Sequence, residues 1–133
     1  MAGAGYAADT PRVVSATEAL AMGPTLSPSG RSGRYEMTVV SAARGGKATF
    51  LNSTADYTAA DNLTFSIAPI VAKALTKRYG TPPEDYFKGR TVTVDGILQV
   101  EPVVAVVAGR PHHLARHQVV VQVRQASQIV AVR

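Results

Sequence analysis

The chain has 133 residues, 46% of them hydrophobic, which suits one domain with a real core and excludes disorder of the whole. It contains no cysteine, so disulfides, thiolate metal sites and cysteine nucleophiles are excluded, and no run approaches the ~20 apolar residues of a membrane-spanning helix. The net charge of +5 attracts polyanions at low salt, although so modest an excess serves solubility equally well.

The opening stretch, Met1 to Thr10, is rich in small residues, and Gly5 and Ala7 stand at the spacing found before a signal-peptidase cut. Neither a charged nor an apolar region precedes them, so residues 1–14 are expected to form a flexible N-terminal segment and 15–133 a single domain. Ser15-Ala-Thr-Glu18 spells a capping box and predicts a short helix over Ala16–Met22, stopped by Gly23 and Pro24. Thr25–Gly33 reads as a loop. Tyr35–Arg44 reads as the first strand, with Tyr35, Met37 and Val39 on one face. Arg44-Gly-Gly-Lys47 is a turn into a second strand over Lys47–Ser53. A polar connection reaches Asn62, and the third strand follows at Leu63–Ile67, where Leu63, Phe65 and Ile67 alternate with Thr64 and Ser66.

Pro69 suits a first helical turn and Gly80 a left-handed cap, so the main helix is predicted over Pro69–Tyr79. Thr81-Pro-Pro-Glu84 suggests another capping box, opening a single turn whose Tyr86 and Phe87 plug the barrel end. The fourth strand is predicted over Arg90–Val100, with Gly96 marking a bulge. Val103–Val107 continues as extended chain after Pro102, Gly109-Arg-Pro111 breaks it, and Gln118–Arg124 is the fifth strand. Ala126–Ile129 turns the chain into a final short extended piece.

This order predicts an all-β fold: a small five-stranded OB-fold-like barrel with one helix between strands three and four and a short N-terminal helix. Ser15-Ala-Thr-Glu-Ala19, Phe50-Leu-Asn-Ser53, Tyr57, Tyr86-Phe-Lys-Gly-Arg-Thr-Val-Thr-Val-Asp-Gly96 and Ser127-Gln-Ile129 point the same way. Together they resemble an OB-fold domain of uncharacterised, often exported bacterial proteins, of the nucleic-acid-binding OB-fold type. The resemblance implies the fold from Ser15 onward, an exported location (periplasmic or secreted), and a loose association with nucleic acid. The segment Glu101–Gln118 is longer than that pattern has.

Two basic stretches then become candidate ligand-binding loops, Arg44–Lys47 between the first two strands and Gly109–His117 between the last two. Arg44, Lys47, Arg110 and Arg116 would hold a phosphate backbone, with Tyr57 as a stacking residue and His112, His113 and His117 beside them. The expected role is non-catalytic binding of single-stranded nucleic acid or another polyanion. The alternative is an exported interaction or assembly subunit that docks a protein partner through the 103–107/118–123 hairpin, which requires the valine run to be exposed. Imidazoles suit Zn, Cu or Ni. No carboxylate lies near these three in sequence and the arginines repel a cation, so solvated histidines and no metal are expected. Asp56, Asp61, Glu84, Asp85 and Asp95 are scattered and no nucleophile elbow is present, so neither an enzyme nor a cofactor is expected. Asn52-Ser-Thr54 and Asn62-Leu-Thr64 match the glycosylation pattern, read here as chance.

Overall fold

A computed structural model describes residues 12–46 and 48–133, without the side chains of residues 105, 106, 112, 113 and 115. The strands are β1 (Val13–Ser15), β2 (Arg31–Thr38), β3 (Ser41–Gly45), β4 (Ala48–Asn52), β5 (Leu63–Ile67), β6 (Thr91–Val107), β7 (Arg110–Val123) and β8 (Ile129–Val132). Three helices, α1 (Ala16–Met22), α2 (Pro69–Tyr79) and α3 (Pro83–Tyr86), and two 3-10 turns, Gly23–Thr25 and Ala126–Gln128, complete the order. No helix among the described residues is long and apolar enough to cross a membrane.

Local chemistry accounts for the helices. Ser15 Oγ accepts from the Glu18 N–H and a Glu18 carboxylate oxygen accepts from the Ser15 N–H, each at 3.2 Å, so the capping box that starts α1 is complete. Gly80 closes α2 at φ 76°, where its N–H reaches the Thr76 carbonyl. At α3 the cap is Pro82 rather than Thr81, and Glu84 makes no cap bond.

The strands form one mixed sheet in the order β1-β2-β6-β7-β5-β4-β3, with β8 pairing β6. The β1–β2 and β5–β7 ladders are parallel and the others antiparallel. The expected five-stranded barrel is therefore corrected: among the described residues there are eight strands, the hydrogen-bonded path does not close, and α2 follows the fifth strand rather than the third. One reason lies at Val39 and Val40. The Val39 N–H bonds the Arg90 carbonyl and the Val40 N–H bonds the Asn52 carbonyl, both at 2.9 Å, so the chain changes partner from β6 to β4 there. What looked like one strand, Tyr35–Arg44, is β2 and β3, and the covalent chain links the two arms of the sheet where no ladder does. The short strands β1 and β8 supply the rest.

The second correction concerns 109–117, which is not a loop. β6 runs unbroken to Val107 and β7 starts at Arg110, joined only by Ala108 and Gly109 at φ 53° and 78°. Two consecutive positive φ values make the tight turn that favours a hairpin. Pro111 fits beside the register shift between Ala105 and Val106, and Pro102 pairs in register with His117 at a point where β6 has run past its β2 partners, which end at Leu98. The valine arm and the histidine segment are thus the two strands of one long hairpin. At Gly96 the expected bulge is absent from the β2–β6 ladder, where Gly33 and Gly96 pair in register. A Cβ on Gly96 would lie 2.7 Å from Val121 Cγ1, so close packing is what the glycine allows.

The core takes every second residue. Tyr35 and Met37, Leu63, Phe65 and Ile67, Val92 and Val94, and Val121 and Val123 are buried together, and Val71 and Leu75 of α2 cover them. Phe87 is fully buried, with Tyr86 stacked on Tyr79 at 3.8 Å and both rings edge-on to it. Of the expected N-terminal segment, residues 1–11 lie outside the described residues, while Val13–Ser15 pairs in parallel with Arg34–Glu36.

Candidate functional site

The alternation that buries Leu51 and Phe65 turns Phe50, Asn52 and Thr64 to the other face of the same strands. Register then assembles that face. Ala43 stands opposite Phe50, Asn52 opposite Thr64, and Val103 opposite Arg116, with Gln118 two residues further along β7. These residues, with Arg44, Gly45 and Tyr57, line a groove of about 380 Å³ across β3, β4, β5, β7 and β6. Its base is aromatic where Phe50 packs over Gly45. A Cβ on Gly45 would sit 2.7 Å from Phe50 Cε2, so this glycine makes room for the ring.

Beside Phe50 the floor is polar and locked. Asn52, Asn62 and Thr64 are 3%, 4% and 3% exposed, which makes unpaired polar atoms costly there. The Thr54 N–H donates to Asn62 Oδ1 at 3.2 Å, and a backbone N–H can only donate, so the orientation of the Asn62 amide is fixed. Asn62 Nδ2 then shares its two protons among three acceptors, Thr64 Oγ1 at 3.0 Å, Tyr57 O at 3.3 Å and Asn52 Oδ1 at 3.4 Å. Thr64 Oγ1 donates to the same Asn52 Oδ1 at 2.8 Å. Asn52 Oδ1 is therefore engaged on the scaffold side, and Nδ2 is what Asn52 presents to the groove it lines. Among the described residues this Nδ2 has no hydrogen-bond acceptor, and it is not among the fully buried unpaired atoms.

The connection between β4 and β5 carries Tyr57 and is held by its own side chains. Asp56 Oδ1 accepts from the Thr58 N–H at 2.9 Å and the Thr58 hydroxyl at 2.6 Å, a turn closed by an aspartate side chain on backbone two residues ahead. Those two bonds, with the Arg116 charge nearby, hold the Asp56 carboxyl below the ordinary carboxylate range. Tyr57 is 58% exposed, and the Arg116 guanidinium lies 5.5 Å from its ring centroid. On the opposite side Arg44 Nε donates to Glu84 Oε2 at 3.1 Å, across from β3 to α3. Each arginine thus has a carboxylate close by, which tempers the pull of the groove on anions.

Of the sequence-derived candidates, the structure gathers Arg44, Tyr57 and Arg116 at one groove. Arg110 is exposed beside the hairpin turn, six residues from Arg116 along an extended strand and so ~20 Å away. His117 is exposed and stands opposite Pro102. His112 and His113 lie on β7, in a strand where a helical pairing of His113 with His117 does not arise, and their side chains are outside the described set. Lys47 lies outside the described residues. Val104 and Val107 are exposed, Val103 faces the groove, and the side chains of Ala105 and Val106 are outside the described set. Sequence reasoning missed Asn52, Asn62 and Thr64 and gave Glu84 a different task. The available signal was asparagine ending one strand and preceding the next, where strand propensity disfavours it.

No protein-family model matches this chain, and no curated protein matches it. Among solved structures it is similar to a candidate aspartyl-tRNA synthetase of Leishmania major Friedlin, at 14% identity and TM-score 0.48 over 88% of this chain and 20% of that one. It is also similar to the asparaginyl-tRNA synthetase of Pyrococcus horikoshii, at 22% identity and TM-score 0.39 over 84% of this chain and 23% of that one. The same synthetase complexed with asparaginyl-adenylate gives 23% identity and TM-score 0.40 over 77% and 21%. The chain spans between 20% and 23% of the length of these structures.

Proposed function

We propose that this chain is a non-catalytic OB-type module that binds a short stretch of single-stranded nucleic acid in the groove. One observation carries the reading: two guanidinium groups, Arg44 and Arg116, flank a groove that also offers the rings of Phe50 and Tyr57. Cations at the rim suit phosphates, and exposed rings suit unpaired bases, which is the combination single-strand binders use. The topology agrees, since an OB fold binds on the face of its second and third strands, the place β4 and β5 occupy once β2 and β3 count as one broken strand. With two aromatic platforms and partly compensated arginines, affinity is modest and strongly dependent on salt.

Fluorescence anisotropy with labelled single- and double-stranded oligonucleotides at low and moderate salt tests this. Single-stranded binding that weakens with salt, is lost in Arg44→Ala/Arg116→Ala and persists in Arg110→Ala agrees with the proposal. Absence of binding at low salt rejects it. A second reading rests on a different feature: Val104, Val107 and Leu114 of the β6–β7 hairpin are 44%, 52% and 52% exposed, and Val104 and Leu114 pair across the ladder, exposed apolar side chains that suit a protein partner. A photo-crosslinker attached at Leu114→Cys, in a chain with no other cysteine, would capture such a partner; no specific adduct would count against it.

A further inference from the structure

The groove floor offers a ligand one fixed hydrogen-bond donor and withholds the acceptor on the same amide. We propose that Asn52 Nδ2 makes the groove selective for a base that turns a carbonyl oxygen toward it (O4 of thymine or uracil, O6 of guanine) over one that turns an exocyclic amine there (N4 of cytosine, N6 of adenine). This rests on the single-strand reading above and adds which bases the site prefers.

An asparagine amide in solvent is ambivalent, because rotation by half a turn exchanges its donor and acceptor. Asn52 has lost that freedom. The Thr54 N–H fixes Asn62, whose Nδ2 faces Asn52 Oδ1 and can only donate, so turning Asn52 over would set NH2 against NH2, while the Thr64 hydroxyl donates to the oxygen that Asn52 already presents. At 3% exposure water cannot compensate for that mismatch. The amide therefore enters the groove with its N–H fixed before any ligand arrives. Phe50, on the same face and two residues earlier in β4, provides the ring on which a base can stack with its edge toward Asn52. A carbonyl oxygen there accepts the N–H. An amine there meets donor with donor and leaves both unpaired.

Thymine and 5-methylcytosine provide the test, since they share size, methyl group and stacking face and differ in the 4-position oxygen or amine and in the proton at N3. Anisotropy titrations of the wild-type chain with oligothymidylate and oligo-5-methylcytidylate of equal length, at one low salt concentration, should show about fivefold tighter binding of thymidylate, the weight of one hydrogen bond. Asn52→Asp keeps the shape and the acceptor that Thr64 and Asn62 require while replacing the groove donor with an oxygen, and should abolish or reverse that preference. Equal affinities in the wild type overturn the inference and leave the binding reading standing. A preference that survives intact in folded Asn52→Asp also overturns it. Failure of both oligonucleotides to bind rejects the binding reading, and the inference falls with it. If Asn52→Asp does not fold, the wild-type pair alone decides.

Discussion

Glu84→Gln is the perturbation that most directly asks whether Arg44 reads phosphate. In the wild type Arg44 Nε lies 3.1 Å from Glu84 Oε2, with the arginine side chain 55% exposed and the glutamate 18%. An anion entering the groove must share that guanidinium with a carboxylate. Neutralising Glu84 removes a negative charge ~6 Å from a bound phosphate, worth about 0.7 kcal/mol at the dielectric of water, or about threefold in affinity at low salt. It also releases one cation for counterion exchange. For single strands each phosphate neutralised steepens the log–log salt dependence by about 0.7, so the variant should lose about 2.6-fold more affinity than wild type between about 50 and 200 mM salt. The fold should tolerate the change. A half-exposed pair contributes at most about 1 kcal/mol, and among the described residues Glu84 Oε1 is buried without a hydrogen-bond partner, so its neutralisation also relieves a desolvated charge. Anisotropy over a salt series, with a thermal melt to confirm folding, measures both. An unchanged slope in a folded variant would show that Arg44 serves α3 and not the ligand.

Three further outcomes follow from the packing and the charges. Gly96→Val should destabilise the domain by about 1–3 kcal/mol, read as a lower denaturation midpoint, because even a Cβ at this position meets Val121 Cγ1 at 2.7 Å. Gly45→Val should leave the core intact but displace the Phe50 ring, which lies 2.7 Å from where its Cβ would stand; binding should weaken by more than stability does. In acid, the Glu18 carboxyl is held low by Arg12 and Ser15, Glu36 by Thr93 and Arg133, and Asp95 by Arg34. A carboxyl depressed in the folded state stabilises above its unfolded pKa, near pH 4, and that contribution disappears as pH falls through the lower folded value. The melting temperature should therefore be flat from neutral pH down to about pH 5 and fall below about pH 4, with a shallower acid limb in Asp95→Asn.

How much of this could be read in the chain depends on whether the decisive interaction is local. The Ser15 capping box, the Gly80 cap and the alternation at Leu63, Phe65 and Ile67 are written within a few residues, and each stands where the pattern put it. The break at Val39 and Val40 is a change of hydrogen-bonding partner between two distant strands, and two valines carry no trace of it. Pro102 and Pro111 read as stops, and only the pairing around them lets the ladder continue: a register shift beside Pro111, and for Pro102 a stretch of β6 beyond the last β2 partner at Leu98. The site divides in the same way. Arg44, Tyr57 and Arg116 are conspicuous residue types, whereas Arg110 looks equivalent to Arg116 until an extended strand carries it away from the groove. Asn52 and Thr64 become neighbours only through the β4–β5 register, so spacing could not reveal them.

Asn62 connects these two levels, because it belongs to the scaffold and sets the orientation of the site. Its Oδ1 accepts from the Thr54 N–H and the Thr54 hydroxyl, and its Nδ2 reaches the Tyr57 carbonyl, so it ties the connection that carries Tyr57 to the end of β4. Asn62→Ala leaves the buried Asn52 Oδ1 with Thr64 alone and deprives the Thr54 N–H of its acceptor. The cost should be about 1–3 kcal/mol, the penalty of unpaired buried groups. A purely structural role would stop there, lowering stability and changing affinity by the same factor for every base. Asn62 as a positioning residue predicts more: with its NH2 gone, Asn52 can turn over, since the Thr64 hydroxyl can accept as readily as it donates. The groove would then show either end of the amide. The preference for thymidylate over 5-methylcytidylate should shrink toward unity in Asn62→Ala, at a temperature where the melt shows the variant fully folded. Retention of the full preference there would show that Asn62 only supports the loop and that something else fixes the donor.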